Sequence, residues 1–305
     1  METLKKTGRF SGKALCVGLL LSVTVVWGYG IVVTDDALAG GLGVFSMLAG
    51  RFMLAGAVLF AVRLCLRGTK AYKKLTKKEL SAGVLTGTMN FFGFFFQAAG
   101  LLYTNTAKSG MLTGAYVIVV PVVYCILRRK CRFKPVFDAA VFRMGMCILF
   151  DVRGAGGNFN RGDVLTLVGA LFFAAQIILV DRFACGVNIF NFNVVQMSVM
   201  GGLGLLGAVV FELPLRFEAV DGSACLFALL YLGILSSAYS YPVQTFAQSR
   251  LSPSLAAILL SLEALTGALF SLAVGNVSGS ASLLIGCAVM AAASVSAAVS
   301  KMSEK

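Results

Sequence analysis

The sequence predicts an all-α membrane protein with ten transmembrane helices, arranged as two inverted five-helix repeats around a central cavity. Three observations support this fold class. Of the 305 residues, 58% are hydrophobic and 13% are charged, whereas soluble domains typically carry about 25% charged residues. The apolar residues form successive runs long enough to cross a bilayer, and the second half of the chain weakly repeats the first.

Ten runs of about 20 mostly apolar residues can be read along the chain. They cover residues 14–33, 44–65, 80–102, 107–127, 135–150, 164–182, 192–211, 224–246, 253–273 and 280–300. The first run is longer than the core of a signal peptide, so we expect it to be retained as a helix. The fifth run is short and contains Asp138 and Arg143, which we expect to pair or to reach toward the cytoplasmic face.

The distribution of charge favours ten crossings over nine and predicts the orientation. With ten crossings, most of the 26 Lys and Arg residues fall in the N-terminal segment, the 63–78 and 128–134 loops and the C-terminal segment, all on one side. Such residues collect in cytoplasmic loops, so both termini are predicted to be cytoplasmic. The loops on the other side hold Asp35, Asp36, Asp151, Asp163, Glu212, Glu218 and Asp221. The net charge of +13 is therefore an orientation signal, and we expect no nucleic-acid partner.

An internal repeat emerges when Gln97 is aligned with Gln244, a shift of 147 positions. The same shift brings Tyr116 onto Glu263, and it aligns the first predicted helix with the sixth.

Two repeat units follow from this alignment, residues 1–150 and residues 151–305. Because each unit contains an odd number of crossings, the two have opposite orientations in the membrane. Inverted repeats of this kind place a binding site near the midplane, between the halves.

Glu263 lies close to the middle of the ninth run. A charged side chain at this depth costs roughly 2.5–3.5 kcal/mol on insertion scales, so it needs a function or a partner. Three interpretations stay open: a proton-binding group, a ligand for a cationic part of a substrate, or a structural anion paired with Arg51 in the second helix.

Polar and aromatic residues recur at helical spacing in the helices related by the repeat, which indicates a shared cavity. Interhelical hydrogen bonding is the alternative for the polar groups, and anchoring at the membrane interface is the alternative for Trp27. The predicted substrate-binding residues are Trp27, Tyr29, Asn90, Phe94, Gln97, Thr113, Tyr116, Gln176, Tyr241, Gln244 and Glu263, with Glu263 as the candidate for proton coupling.

Other functional classes lack the residues they need. The chain contains no histidine, which excludes imidazole metal sites and histidine proton relays, and we expect neither a metal nor a cofactor. No acidic pair lies within the membrane runs, so an enzyme is not expected. A channel would favour a ring of like residues or a selectivity filter, and the sequence shows neither.

Five stretches resemble the EamA branch of the drug/metabolite transporter superfamily, in the family's order. They are WGYGIVV, AGRFMLAG, FQAAGLLYTNTAKSGMLTGAYVIVVPV, GDVLTLVGALFFAAQIILVDRF and SSAYSYPVQTFAQSRLSPSLAAILLSLEALTGALF. The resemblance implies ten helices in two inverted repeats, a cavity lined by the first, third, fourth, sixth, eighth and ninth helices, and movement of small metabolites or drugs, often outward.

We therefore expect a secondary transporter in the cell membrane that moves small-molecule solutes, such as amino acids or drugs, outward by alternating access. A facilitative, uncoupled carrier and a membrane-embedded protein without a transport role are the alternatives. The sequence leaves open the substrate, the direction, proton coupling and the oligomeric state.

Overall fold

The computed structural model describes residues 2–104, 106–128, 133–149, 159–213, 222–273 and 281–303. All regular secondary structure in these ranges is helical. The predicted boundary between the repeats, after residue 150, lies outside the described residues, as do Asp151, Glu218 and Asp221 of the predicted acidic loops.

Thirteen α-helices make up the described part of the chain. They are α1 (Glu2–Ala39), α2 (Val44–Cys65), α3 (Lys77–Leu101), α4 (Thr106–Thr113), α5 (Tyr116–Arg128), α6 (Phe133–Leu149), α7 (Arg161–Ala184), α8 (Ile189–Gly207), α9 (Gly222–Leu230), α10 (Ser240–Gln248), α11 (Pro253–Leu260), α12 (Glu263–Ala273) and α13 (Ala281–Ser303). A π-helical segment, Ala208–Glu212, extends α8, and a second, Tyr231–Tyr239, joins α9 to α10.

Seven helical stretches within the described residues are long and apolar enough to cross a membrane. They correspond to the first four and the sixth to eighth predicted crossings. The ninth and tenth predicted crossings contain shorter apolar stretches, Pro253–Gly267 and Ile285–Val299. The prediction of an all-helical membrane protein is confirmed at this level, and the count of ten crossings stays a prediction.

Two predicted crossings are interrupted at positions that differ by the 147-residue shift. The fourth breaks between α4 and α5, at residues 114–115, and the ninth breaks between α11 and α12, at residues 261–262. Both breaks have the same backbone pattern: the second residue of each donates to the carbonyl three residues earlier, over 3.0 Å at Ala115 and 3.1 Å at Leu262. Tyr116 and Glu263 are each the first residue after a break.

Small residues bring α3 and α7 into backbone contact. A Cβ atom added to Gly169 would lie 2.9 Å from the Gly93 carbonyl oxygen, and one added to Gly100 would lie 2.9 Å from the Gly162 carbonyl oxygen. Glycine on both helices is what allows this distance, as is common between membrane helices. The contact fixes the face of α3 relative to α7.

At the basic end of the bundle, Glu79 joins α3 to the start of α8. Its carboxylate accepts hydrogen bonds from the Thr76 backbone N–H (2.9 Å), the Asn188 backbone N–H (2.7 Å) and the Asn191 side-chain amide (3.0 Å). The Arg63 Nε–H in turn donates to the Asn191 oxygen. These bonds hold the basic 66–76 loop against α8.

At the opposite end, Glu212 stabilises the start of α2. It accepts hydrogen bonds from the backbone N–H groups of Phe45 (2.7 Å) and Ser46 (2.8 Å) and from the Ser46 hydroxyl (2.6 Å). The first N–H groups of a helix have no partner within it, so a carboxylate at this position is favourable. Glu212 was predicted only as part of an acidic loop, and the structure shows that it caps a helix.

Asp138 and Arg143 of α6 make separate contacts, and the expectation that they pair with each other is wrong. Asp138 accepts a hydrogen bond from the Ser296 hydroxyl (3.1 Å), with the Lys134 ammonium 3.7 Å away, while Arg143 donates to the Met111 carbonyl oxygen. Five positions on an α-helix are about 140° apart, so the two side chains leave different faces.

Candidate functional site

A central cavity lies among α1, α2, α3, α5, α7, the π-helical segment Tyr231–Tyr239 and α10 to α12. It contains about 610 Å³ of space between atoms, its open mouth included. Nine of the eleven predicted substrate-binding residues line it: Trp27, Asn90, Phe94, Gln97, Tyr116, Gln176, Tyr241, Gln244 and Glu263.

Helix α3 contributes one continuous stripe to the cavity wall. Asn90, Phe94, Gln97 and Leu101 follow each other at intervals of three or four residues, so they share the face that points inward. Another face of α3 packs closely on α7, and Gly93 and Gly100 allow this close approach. Bulky polar and aromatic groups therefore reach the cavity, and the glycines hold the helix in place.

Amide side chains from both halves of the chain meet in the cavity. The Gln244 amide donates to the Gln176 side-chain oxygen over 3.3 Å. The remaining amide nitrogen of Gln176 and the oxygen of Gln244 are buried and have no partner among the described residues. A donor and an acceptor are thus available to a solute.

Thr113 and Tyr29 lie outside the cavity wall. Thr113 accepts a hydrogen bond from the Gln97 amide over 2.9 Å, so it orients a lining residue. Tyr29 packs on Tyr231 and Phe270, with ring centroids 5.2 and 5.4 Å apart. The prediction that these two residues line the cavity alongside the others does not match the geometry.

Helical geometry explains why Tyr29 lies outside the cavity wall, because residues two positions apart on α1 point to nearly opposite faces. Trp27 has the inward position. Its indole N–H donates to the Ser236 carbonyl oxygen over 2.8 Å, and its ring lies 5.5 Å from that of Tyr241.

Glu263 is 8% exposed and lines the cavity at the first position of α12. The Tyr116 hydroxyl is its neighbour, so the two residues aligned by the repeat meet in the folded chain. Helix α1 approaches closely on the other side, where a Cβ atom on Gly28 would lie 2.8 Å from the Glu263 carbonyl oxygen. Backbone and side chain of Glu263 are therefore both held in place.

Arg51 also lines the cavity, and the sequence suggested it only as a possible partner of Glu263. It is 2% exposed, and its guanidinium donates to the hydroxyls of Ser236 and Ser237, both over 2.9 Å. The guanidinium carbon lies 4.4 Å from the Phe94 ring centroid. Within the described residues no ion pair joins Arg51 to Glu263, so the structure does not support the interpretation of Glu263 as its structural partner.

The cavity extends further toward one end of the bundle. Ile31, Thr34 and Leu101 line it, and Ile31 and Thr34 precede Asp35 and Asp36 of the acidic loops. Gln248, which the 147-residue shift aligns with Leu101, is instead buried and donates to the Ile177 carbonyl oxygen. Repeat-related positions therefore have different environments at the two ends.

Comparison with known proteins decides the family. The model of the EamA-like transporter family matches residues 14–150 and again residues 160–298. The chain belongs to the EamA-like transporter family. The resemblance seen in the sequence is thereby confirmed.

Two individual proteins agree with this membership. The chain is 28% identical over 263 residues to an uncharacterized transporter of Archaeoglobus fulgidus, an alignment that covers 85% of this chain and 77% of the relative. A solved crystal structure with 18% identity matches with a TM-score of 0.75 over 95% of this chain and 99% of its own, which shows a shared fold.

Membership defines the protein at a coarse level. It is a multi-pass membrane transporter of the drug/metabolite type, with a small-molecule substrate and a lipid surrounding. Both the family and the archaeal relative are described as transporters. Each of the two matched ranges of this EamA-like chain contains one helix break, at residues 114–115 and 261–262.

Proposed function

We propose that this EamA-like chain is a secondary transporter that exports small metabolites, such as amino acids, drugs or related solutes, by alternating access. The observation that carries the proposal is the central cavity, where Glu263 and Gln244 of the second half meet Tyr116 and Gln97 of the first. A site shared by two halves can face either side of the membrane when one half moves against the other.

The proposed architecture has ten crossings in two inverted repeats, residues 1–150 and 151–305, in the cell membrane with both termini cytoplasmic. The seven long spans leave three crossings to α6, to the interrupted pair α11 and α12, and to α13. The matching breaks, separated by the same 147-residue shift as Tyr116 and Glu263, support a common ancestry of the two halves.

The nine lining residues named above are the proposed substrate-binding set, with Thr113 as an orienting residue for Gln97. Aromatic rings supply apolar contact, and the free amide groups of Gln176 and Gln244 supply hydrogen bonds. The extension of the cavity past Thr34 and Leu101 supports an arrangement open toward the side of the acidic loops, which is the outer side in the proposed orientation.

Glu263 is the proposed proton-coupling group. It is the one carboxylate among the described residues that line the cavity, so a change in its protonation would act directly on a bound solute. An uncoupled, facilitative carrier is the alternative, and the two differ in their response to a pH gradient.

The test begins with the metabolites that accumulate in cells when the protein is removed or overproduced. The strongest candidates are then assayed in proteoliposomes for saturable counterflow, with and without a pH gradient. We expect the gradient to drive accumulation by the wild type but not by Glu263→Gln. Asp36→Asn, which alters an exposed carboxylate near the end of α1, is the matched control and should behave as wild type.

Three outcomes would change the proposal. Single-channel currents or hydrolytic activity without saturable flux would refute secondary transport. Identical pH profiles for wild type and Glu263→Gln would refute proton coupling and favour the uncoupled carrier. Inward accumulation under an inward-directed proton gradient would indicate symport with protons and would reverse the assigned direction.

A further inference from the structure

The guanidinium of Arg51 is a buried charge with no counter-charge among the described residues. It has five N–H donors, and its hydrogen bonds to Ser236 and Ser237 use two of them. No carboxylate of the described residues lies within 4.0 Å of it. The serine hydroxyls and the Phe94 ring solvate the guanidinium but leave its charge uncompensated, although buried charges in proteins are usually paired.

The carboxylate of Glu263 is in the reciprocal situation. It lines the same cavity and is nine-tenths buried, and no Lys or Arg side chain of the described residues lies within 4.0 Å of it. Its neighbour is the neutral hydroxyl of Tyr116. One cavity thus contains one basic and one acidic side chain, each with neutral surroundings.

Helix α1 contacts the surroundings of both groups. On one side, the Trp27 indole binds the carbonyl of Ser236, whose hydroxyl accepts from Arg51. On the other side, Gly28 is in close contact with the backbone of Glu263. The two groups therefore stand at different places on the cavity wall, and they are held there by independent contacts.

We propose that the cavity binds a zwitterion, with a carboxylate of the solute at Arg51 and an ammonium group at Glu263. This inference rests on the proposed transport function and specifies the charge of its substrate. A simple cation would pair with Glu263 and leave Arg51 without a counter-charge, and a simple anion would do the reverse. A solute that carries both charges completes both pairs, and its body contacts the rings of Trp27, Phe94 and Tyr241.

The test compares three probes with the same phenyl group and two-carbon linker: L-phenylalanine, phenethylamine, which lacks the carboxylate, and 3-phenylpropionate, which lacks the amine. Their affinities for the purified full-length protein in detergent are measured by isothermal titration. A hydrogen bond to a charged group contributes about tenfold in affinity or more, so phenylalanine should bind at least about tenfold more tightly than either analogue. Leucine, isoamylamine and 4-methylpentanoate form a second series without the ring.

Two variants should change the affinities for the single-charge probes in opposite ways. Arg51→Gln should weaken the binding of phenylalanine and of 3-phenylpropionate about tenfold and leave the affinity for phenethylamine unchanged. Glu263→Gln should weaken the binding of phenylalanine and of phenethylamine and leave the affinity for 3-phenylpropionate unchanged. Arg51→Lys keeps the positive charge and should retain part of the preference for a carboxylate. Because each variant must retain one probe at wild-type affinity, a misfolded protein cannot produce this pattern.

Equal affinity of the wild type for phenylalanine and phenethylamine, in both series, would overturn the inference. Equal weakening of all three probes by Arg51→Gln would also overturn it, as would failure of both zwitterions to bind. Saturable flux of a solute with a single charge would leave the proposed transport function standing in any of these cases. That function fails separately, if no solute shows saturable flux.

Discussion

Replacement of Gly28 by alanine is expected to destabilise the protein and disturb the cavity. A Cβ atom at this position of α1 would lie 2.1 Å from the Thr266 hydroxyl oxygen and 2.8 Å from both the Glu263 carbonyl oxygen and the Gly267 backbone nitrogen. The hydroxyl can rotate away, but the two backbone atoms belong to α12. Helix α12 must therefore move as a unit or bend.

The size of the effect follows from these distances. Ordinary contact begins at 3.4 Å, so α1 and α12 must separate by about 0.6 Å where Gly28 meets Glu263. Overpacking of this kind costs about 1–3 kcal/mol. Rotation of Thr266 also removes its hydrogen bond to the Thr24 carbonyl oxygen, which contributes about 0.6 kcal/mol. Their sum, about 2–4 kcal/mol, corresponds to a decrease in Tm of about 3–6 °C for a chain of 305 residues.

The assay is thermal unfolding of the purified protein in detergent, followed by circular dichroism. Gly18→Ala is the matched control, because it lies on the same helix and an added Cβ atom there meets no atom within 4 Å. We expect Gly18→Ala to be neutral or slightly stabilising, since alanine favours helix over glycine. Equal melting temperatures for Gly28→Ala and Gly18→Ala would refute the close approach of α1 and α12. Full rescue of Gly28→Ala by Thr266→Ala would refute the role of the backbone atoms.

Three further predictions concern the ends of the bundle and the cavity. Glu79→Ala should lower the free energy of unfolding by about 3 kcal/mol, because three N–H donors, one of them buried and two in partly buried hydrogen bonds, lose a charged acceptor, and Glu79→Gln should lower it less. Glu212→Ala should cost about 1–2 kcal/mol by uncapping α2, measured by the same thermal unfolding. Binding of a solute should change the emission of Trp27, which is the single tryptophan and lines the cavity, and Trp27→Phe should abolish the signal.

The same predictions have clear contrary outcomes. Wild-type stability of Glu79→Ala would show that the 66–76 loop is not held against α8. For Glu212, unchanged unfolding would mean that water replaces the carboxylate at the start of α2 at no cost. A transported solute that binds with unchanged Trp27 emission would place the binding site elsewhere in the chain.

The sequence was informative where a single helical period governs the environment. In α3, the spacing of Asn90, Phe94 and Gln97 was enough to predict a common face, and all three line the cavity. The same rule separates Trp27 from Tyr29, because two positions turn a helix by about 200°. Treating neighbouring aromatic residues as one group therefore led to the wrong placement of Tyr29.

The partners of Arg51 could not be predicted from helical periodicity. Ser236 and Ser237 both reach its guanidinium because they lie in the π-helical segment Tyr231–Tyr239, whose wider turn shifts the faces of the residues around it. The break before Glu263 was also missed, since Ser261 and Leu262 are neither glycine nor proline and the run 253–273 reads as continuous. Tertiary packing decides both features, although the alignment of Tyr116 with Glu263 already indicated that the two sites are equivalent.

The break between α11 and α12 places Glu263 at the end of α12 about which this helix can swing. Helix α12 has 11 residues and a length of about 16 Å, so a swing of about 10° would carry its far end through about 3 Å while the first residue stays almost stationary. The contact of Gly28 with the Glu263 backbone acts as the pivot that holds this point. Large displacements of the far end of α12 can therefore accompany an almost fixed carboxylate, so that a solute bound at Glu263 need not be released while α12 moves.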